Sequence, residues 1–233
     1  MPETIRVEIT PSDHVTALLY PAAAVSAIGV TLILGHGAGA NQMSNFMVQF
    51  ARELAARGID TVTFNFLYTE HRRRIPDRND ALEACYQSVI EAFRSRVVHG
   101  DIARNRFAIG GKSMGGRIAS QVAARPNADL LGLVFLGYPL HPPGKPDQLR
   151  SKHLPHIKAP MLFVQGSRDA FGTPDELNPI ISGLPAPADL FIVEGGDHSF
   201  KVAKKAGIPQ QQVYASILDQ VADWLRRIAL SPR

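Results

Sequence analysis

One short stretch near the middle of the chain constrains its fold more than any other. Residues 106–111 form a strand-like run that ends in glycines, and a helical pattern opens a few residues later at Ile118. Between them, residues 111–115 (GKSMG) fit G-x-S-x-G, in which a strand-to-helix turn holds the serine in a strained conformation with its hydroxyl exposed. The flanking glycines are needed because a Cβ would collide with the neighbouring strand and helix. Ser113 is therefore the candidate nucleophile.

Two other interpretations of this stretch compete with a nucleophile. Gly111, Lys112 and Ser113 also match the end of a phosphate-binding P-loop, but that motif needs a glycine five residues before Gly111, where this chain has Arg106. The strand also runs straight into the glycines, which leaves no loop to surround a phosphate. The second alternative is an ordinary glycine-rich turn with an idle serine, since five-residue motifs occur by chance. The motif alone leaves that alternative open.

The composition is that of an ordinary globular protein. With 233 residues, 45% apolar and 20% charged, the chain suits one α/β domain over residues 1–233. The net charge of +4 is too small to indicate nucleic-acid binding, and no basic stripe is interleaved with aromatic residues. No signal peptide or apolar run of about 18 residues is present. We expect a cytoplasmic protein with a small-molecule substrate and neither nucleic-acid nor membrane partners; the oligomeric state is left open.

The single cysteine and the histidines narrow the chemistry further. One cysteine, Cys85, excludes an internal disulfide framework and fits a reducing compartment. Cys85 also shares a helical spacing with apolar neighbours, which favours a core position over a reactive thiol. The histidines form no H-E-x-x-H pattern, so we expect neither a catalytic metal nor a cofactor.

Buried strands alternate with helices along most of the chain. The first two strands, 4–9 and 15–20, are separated by a turn and predict an antiparallel hairpin at a sheet edge. The glycine-terminated strand lies among other predicted strands at 30–34, 61–66, 131–136, 160–165 and 188–193. Helical patterns cover the segment around Phe46 up to Gly58, residues 81–98, the segment from Ile118, and a stripe from Val213 to Ile228. The pattern predicts an α/β fold with a doubly wound mostly parallel sheet.

Two further residues complete a possible catalytic set. A serine hydroxyl needs a base within hydrogen-bond reach and a third group to orient that base. Asp169 follows the predicted strand 160–165, His198 follows the last strand, and Ser, Asp, His is a known chain order for such triads. Asp169 could instead be a turn former. Asp197 is a rival acid, but its position next to His198 makes contact with the far ring nitrogen difficult.

The same pattern suggests an oxyanion hole, a pair of N–H donors for the developing negative charge. Met114, directly after the nucleophile, supplies one backbone N–H, and the loop after strand 30–34 should supply the other. We assign that second donor to Ala38, with Gly37 and Gly39 as near rivals. His36 in this loop either contacts substrate or orients the loop through its ring.

Four stretches carry a resemblance to a known family: GGKSMGGR (110–117), GYPLHPPGKP (137–146), QGSRD (165–169) and GDHSF (196–200). Along nearly its full length the chain resembles an α/β-hydrolase with a minimal lid. It is similar to the dienelactone-hydrolase-related branch that includes the testis-expressed protein and a subunit of a histone acetyltransferase complex. Dienelactone hydrolases use a cysteine nucleophile where this chain has Ser113, so their substrate is not carried over.

Two functions are predicted, one from the ordered triad and one from this resemblance. The leading prediction is a serine hydrolase that cleaves a small carboxylic ester or thioester through an acyl-enzyme. Some members of the branch resemble scaffold subunits more than enzymes, so the alternative is a non-catalytic interaction module on the same fold.

The sequence says less about the substrate. Residues 138–160, where many α/β-hydrolases insert a lid, form a short proline-rich loop, which implies an open site. The basic loop 68–78 is a candidate wall, whose arginines could bind a carboxylate or phosphate, or could be solvated or pair with Glu70 and Asp77. If residues 72–74 overhang Ser113, anionic substrates should be favoured. The candidate substrate contacts are His36, Tyr68, Arg73, Tyr138 and His141.

Overall fold

The computed structural model describes residues 1–98, 105–126 and 128–230. Its central element is an eight-stranded β-sheet. Its strands are β1 (Glu3–Glu8), β2 (His14–Tyr20), β3 (Val30–Gly35), β4 (Asp60–Phe64), β5 (Arg106–Lys112), β6 (Gly132–Leu136), β7 (Met161–Gly166) and β8 (Ala188–Val193). The spatial order is β1-β2-β4-β3-β5-β6-β7-β8. The β1–β2 and β2–β4 pairs are antiparallel, and the other five pairs are parallel. The predicted mostly parallel sheet is confirmed.

Helices follow most of the strands in the described part of the chain. They are α1 (Asn45–Ala56), α2 (Leu67–Glu70), α3 (Asn79–Val98), α4 (Met114–Ala123), α5 (Pro174–Ser182) and α6 (Gln210–Leu230). Two short 3-10 helices cover Leu154–His156 and Lys204–Ala206. Helices α2 and α5 were not among the elements predicted from the sequence. The beginning of α5 carries a capping box between Thr173 and Glu176, a signal that could have revealed it.

The core lies on both faces of the sheet, which explains the continuous apolar runs of the central strands. All residues of β3, β6 and β7 are buried. In β3, Leu32 and Leu34 pack in one core cluster with residues of α1 and α6, whereas Ile33 packs in the other with residues of α3, α4 and α5. Cys85 is buried on α3, as predicted, and burial raises the pKa of its thiol to about 12.

The predicted hairpin is confirmed at one edge of the sheet. Ile5 pairs with Ala17 and Val7 with Val15, and β1 alternates between exposed and buried residues. This alternation is expected where one face of an edge strand meets solvent.

Between β6 and β7 the chain forms no α-helical lid. This segment contains only the single 3-10 turn Leu154–His156, and it is anchored to the core through Leu140, Leu154 and Ile157. The carboxyl ends of β3, β5, β7 and β8 meet beside it, which is where ligand sites form in parallel sheets. Within the described residues, no helix has the length and apolar character to cross a membrane.

Candidate active site

Ser113 is the single residue between β5 and α4, and its backbone has a conformation that residues other than glycine rarely adopt. Its φ of 51° and ψ of −115° lie outside the strand and helix regions, and such outliers cost roughly 1–3 kcal/mol. The surroundings hold the turn in place: the Ser113 N–H donates to the Leu136 carbonyl at 3.1 Å, and its own carbonyl accepts from the Arg117 N–H at 3.1 Å. The sharp turn leaves no loop that could surround a phosphate, which argues against the P-loop alternative.

The glycines around Ser113 are needed because a Cβ at their positions would collide with the neighbouring strand, as the motif predicts. A Cβ on Gly115 would lie 2.1 Å from the Gly35 carbonyl oxygen, and a Cβ on Gly111 would lie 2.3 Å from the same oxygen. Gly111 also has a φ of 153°, which disfavours any side chain. The first turn of α4 can therefore lie directly against β3 only because both positions lack a side chain.

The structure brings Ser113, His198 and Asp169 together in one hydrogen-bonded chain. His198 Nε2 lies 2.8 Å from Ser113 Oγ, and His198 Nδ1 lies 2.8 Å from Asp169 Oδ2 and 3.0 Å from Oδ1. A carboxylate only accepts, so Nδ1 carries the proton and Nε2 is free to accept from the serine hydroxyl. The ring is thus held in the tautomer that a general base requires.

Asp169 is held by groups that the sequence analysis did not single out. Its side chain is completely buried. Gln165 Nε2 donates to Oδ2 at 2.9 Å, and the Phe171 N–H donates to Oδ1 at 2.8 Å. The Phe171 ring lies over the His198 ring, with centroids 4.2 Å apart. Gln165 could have been noticed as a polar residue that ends an otherwise apolar strand.

The carboxylate of the rival acid, Asp197, accepts hydrogen bonds from the backbone of its own loop. Its Oδ1 accepts from the N–H groups of Ser199 and Lys201 at 2.8 and 2.9 Å. The carboxylate next to His198 in sequence is therefore turned to the following backbone, whereas Asp169 reaches the ring.

The Lys112 side chain holds the backbone of the catalytic-base candidate, His198. It is buried, and its Nζ donates to the carbonyl oxygen of His198 at 2.6 Å. Burial lowers the pKa of Lys112 to about 8, against an opposing effect of the Asp169 and Asp197 carboxylates. This contact ties the loop that carries His198 to the strand that ends at the nucleophile.

The two candidate oxyanion-hole donors, the backbone N–H groups of Met114 and Ala38, belong to residues that line the cavity of Ser113. Met114 is the first residue of α4, so its N–H has no partner within the helix. In the loop after β3, the Ala40 N–H donates to the Gly37 carbonyl at 3.2 Å, and Gly39 has a φ of 74°. This is typical of a type II turn, whose first central residue, Ala38, does not use its N–H within the turn. Gly37, Ala38 and Met114 line the same cavity as Ser113.

His36 is enclosed behind that turn and does not contact the cavity. The Phe66 N–H donates to its Nε2 at 3.3 Å, so Nδ1 carries the proton and donates to the Gly37 carbonyl at 2.9 Å. Burial lowers the pKa of His36 to about 4, which keeps the ring neutral near pH 7. The expected substrate contact at His36 is therefore corrected, and the alternative orienting role fits the geometry.

The cavity beside Ser113 has a volume of about 780 Å³ and two kinds of wall. Its apolar lining includes Phe46, Met47, Leu82, Pro139, Phe171 and Tyr214. Its charged and amide-bearing lining, apart from His198, consists of Asn45, Asp77, Asn79, Lys112, Arg117, Arg150 and Lys201.

Three other expected substrate contacts are also corrected, because their side chains are packed into the protein. Tyr138 is fully buried, and its hydroxyl donates to the Arg150 carbonyl at 2.7 Å. His141 is 5% exposed, with Nε2 at 3.3 Å from Glu176 Oε1. Tyr68 is 1% exposed. None of the three lines the cavity.

Arg73 also lies outside the cavity lining. Its guanidinium forms an ion pair with Asp77 at 2.7 Å. Pairing with Asp77 was one of the alternatives predicted for the arginines of the basic loop. Asp77, not the arginine, contributes to the cavity wall. Residues 72–74 therefore do not form the cationic overhang that would favour anionic substrates.

Residues 29–226 match the family model described as an alpha/beta hydrolase domain. The chain belongs to this family.

Solved structures give the same fold over the whole chain. A dienelactone hydrolase from Anabaena variabilis has a TM-score of 0.74 at 19% identity, with 97% of each chain covered. An α/β serine hydrolase without lid from Xanthomonas campestris has a TM-score of 0.73 at 18% identity, covering 100% of this chain and 97% of its own. The esterase domain of a Rhodothermus marinus protein has a TM-score of 0.68 at 13% identity, with 97% and 98% covered. The more specific resemblance to the testis-expressed branch stays a prediction.

Proposed function

We propose that the protein is a serine hydrolase that cleaves a small carboxylic ester or thioester. Ser113 Oγ attacks the carbonyl carbon while His198 Nε2 takes the hydroxyl proton, and Asp169 holds the imidazolium that results. The N–H groups of Met114 and Ala38 stabilise the tetrahedral oxyanion. His198 then gives the proton to the leaving alcohol or thiol, which leaves the acyl group on Ser113.

The second half of the reaction uses the same groups. A water molecule loses a proton to His198 as it attacks the acyl-enzyme, and the proton returns to Ser113 Oγ when the acid leaves. Water reaches this position readily, since the segment between β6 and β7 forms no helical lid over the cavity.

One observation carries the proposal: the continuous hydrogen-bonded chain from Ser113 Oγ through His198 to the buried Asp169, with 2.8 Å at both steps. A structural serine has no need of a strained turn, a base at bonding distance and a buried acid behind that base. Family membership and the esterase among the structural relatives support hydrolase activity. We retain a cytoplasmic location as part of the proposal, because the one cysteine is buried and unpaired.

The test compares the wild type with Ser113→Ala on short p-nitrophenyl esters. We expect kcat/KM to fall by about a thousandfold or more, because the variant has no nucleophile to form an acyl-enzyme. Ser199→Ala is a matched control: Ser199 also lines the cavity, but within the described residues its backbone, and not its hydroxyl, forms its hydrogen bonds to Asp197 and Tyr214. Equal rates for wild type and Ser113→Ala would overturn the proposal.

A second measurement separates an enzyme from an interaction module. A fluorophosphonate probe reacts only with an activated serine, so stoichiometric labelling at Ser113 would reject an inert scaffold. Absence of labelling on protein with a native circular dichroism spectrum would favour the module.

A further inference from the structure

We propose that Arg117 and Arg150 form an anion subsite in the cavity of Ser113, and that the preferred ester carries a free carboxylate. This inference rests on the proposed function and specifies its substrate class. The two arginines come from separate parts of the chain: Arg117 lies in the first turn of α4, and Arg150 lies in the segment between β6 and β7. Both are partly buried, and both line the cavity with Ser113.

Among the described residues, neither arginine forms an ion pair with a carboxylate; the acid whose charge acts on Arg117 is Glu83, and Glu83 is itself paired with Arg125. Arg117 Nη2 donates to Asn79 Oδ1 at 3.1 Å, and Nη1 donates to Gln121 Oε1 at 3.3 Å. Both partners are uncharged amides. Nearby arginines are treated differently: Arg73 pairs with Asp77, and Arg125 pairs with Glu83, each at 2.7 Å.

The two guanidinium groups repel each other. Burial lowers the pKa of Arg117, and the like charge of Arg150 lowers it further. An arginine does not lose its proton in a protein, so the repulsion persists until an anion lies between or beside the two groups. A carboxylate suits this position because its two oxygens match the parallel N–H groups of a guanidinium.

The remaining charges around the cavity reinforce this preference. Lys112 and Lys201 also belong to the lining, although the Lys112 amino group donates to the His198 carbonyl. Among the described residues of that lining, Asp77 is the acid, and its charge is already engaged by Arg73. Basic side chains therefore outnumber acidic ones among the described residues of the lining, which gives the cavity an excess of positive charge. At about 780 Å³ it also has room for a small ester with a charged end.

Arg150 is anchored as a binding residue would be. Its backbone N–H donates to the Leu140 carbonyl at 2.8 Å, and its carbonyl accepts from the buried Tyr138 hydroxyl at 2.7 Å. The backbone is thus fixed on both sides while the guanidinium is left free to bind. Such preorganisation reduces the entropy that a ligand loses on binding.

The position of the subsite predicts where its effect appears. Arg117 lies one helical turn beyond Ser113, so its guanidinium contacts a part of the substrate that is remote from the reacting carbonyl. Remote contacts are made equally in the ground state and the transition state. We therefore expect the preference mainly in KM, and hence in kcat/KM.

The experiment uses a matched pair of p-nitrophenyl esters, the neutral hexanoate and the hydrogen adipate, whose acyl chains have equal length and differ by one terminal carboxylate. We expect the wild type to prefer the adipate about tenfold or more in kcat/KM, and the preference to shrink at high ionic strength. Arg150→Gln and Arg117→Gln should each lower the adipate-to-hexanoate ratio by about tenfold. Arg74→Gln, which removes the same charge from the exposed basic loop, should leave the ratio unchanged.

Three results would overturn the subsite: no adipate preference in the wild type, a preference that both cavity variants retain, or an equal loss in Arg74→Gln. Calorimetric titration of the Ser113→Ala protein with monomethyl adipate separates this failure from failure of the proposed function, since a protein without the nucleophile binds the ester and does not turn it over. Binding that Arg150→Gln weakens, on protein that hydrolyses neither ester, would uphold the subsite and reject the hydrolase. Hydrolysis of both esters at equal rates, without binding of monomethyl adipate, would reject the subsite and uphold the hydrolase.

Discussion

Two sides of the cavity differ in how completely their polar groups are bonded. On the base side, which contains Asp169 and His198, the buried carboxylate accepts from His198, from Gln165 and from a backbone N–H. On the arginine side, which contains Arg117 and Arg150, the Arg117 guanidinium donates to two neutral amides and, within the described part of the chain, to no carboxylate. The base side is complete without a ligand, as electrostatic preorganisation for catalysis requires. The arginine side is completed by a ligand, which is how a protein selects its substrate.

The two sides also come from different kinds of structure. Asp169 and His198 directly follow the parallel strands β7 and β8, where the sheet fixes the backbone. Arg150 projects from an irregular segment, and only its backbone is tied to the core. Chemistry thus depends on the rigid end of the sheet, and recognition depends on a segment that can change sequence without disturbing the core.

The largest effect is expected from breaking the base side. Asp169→Asn should lower kcat for a p-nitrophenyl ester by about 10⁴-fold, because an amide can stabilise the wrong tautomer of His198 and cannot balance the imidazolium. Asp197→Asn is the matched control, since an asparagine oxygen can still accept from the Ser199 and Lys201 N–H groups. Similar losses in the two variants would show that the acid has been assigned to the wrong residue.

A smaller effect concerns the cation of the base side, Lys112. Its pKa of about 8 lies below the value near 10.4 of an unfolded lysine, so between these pH values the unfolded chain binds more protons. Stability from this group therefore rises with pH above 8, and below 8 the full penalty for burying the charge remains. From pH 7 to pH 9 the free energy of unfolding of the wild type should rise by about 1 kcal/mol relative to Lys112→Met. Urea titrations at the two pH values would measure this, and a constant difference would contradict it.

The smallest effect is expected on the arginine side. Arg150→Gln should leave the free energy of unfolding unchanged or raise it by up to about 0.5 kcal/mol, because it removes a like-charge neighbour of Arg117 and breaks no ion pair among the described residues. Thermal denaturation of both proteins at low ionic strength is the measurement. A loss of about 2 kcal/mol would mean that the arginine stabilises the fold and that the contrast between the two sides is wrong.

Much of the fold could be predicted because burial on both faces leaves a strong signal in sequence. The runs at β3, β6 and β7 are apolar throughout, and glycines mark the turns that follow several strands. Helix α2 could not be predicted, since four residues are too few to show a helical period. Helix α5 contains Pro179, which obscured its pattern.

The candidate site was predictable in part, for a related reason. Sequence shows that a residue follows a strand, which was enough to bring Ser113, Asp169 and His198 together. It does not show which way a side chain faces, so Tyr138 was assigned to the substrate although it lies in the core. Arg150 was missed because its significance depends on Arg117, which is distant in sequence and lies in another element.

The order of strands in the sheet has a consequence for how this site comes into being. The turn with Ala38 follows β3 and Ser113 follows β5, and these strands are neighbours although β4 and the helix α3 lie between them in sequence. Pairing of such distant strands is slow, because a long intervening chain must be closed before any contact forms. The hairpin of β1 and β2 needs no such closure. During refolding, the reactivity of Ser113 therefore reports when the centre of the sheet is complete, and not when its edge has formed.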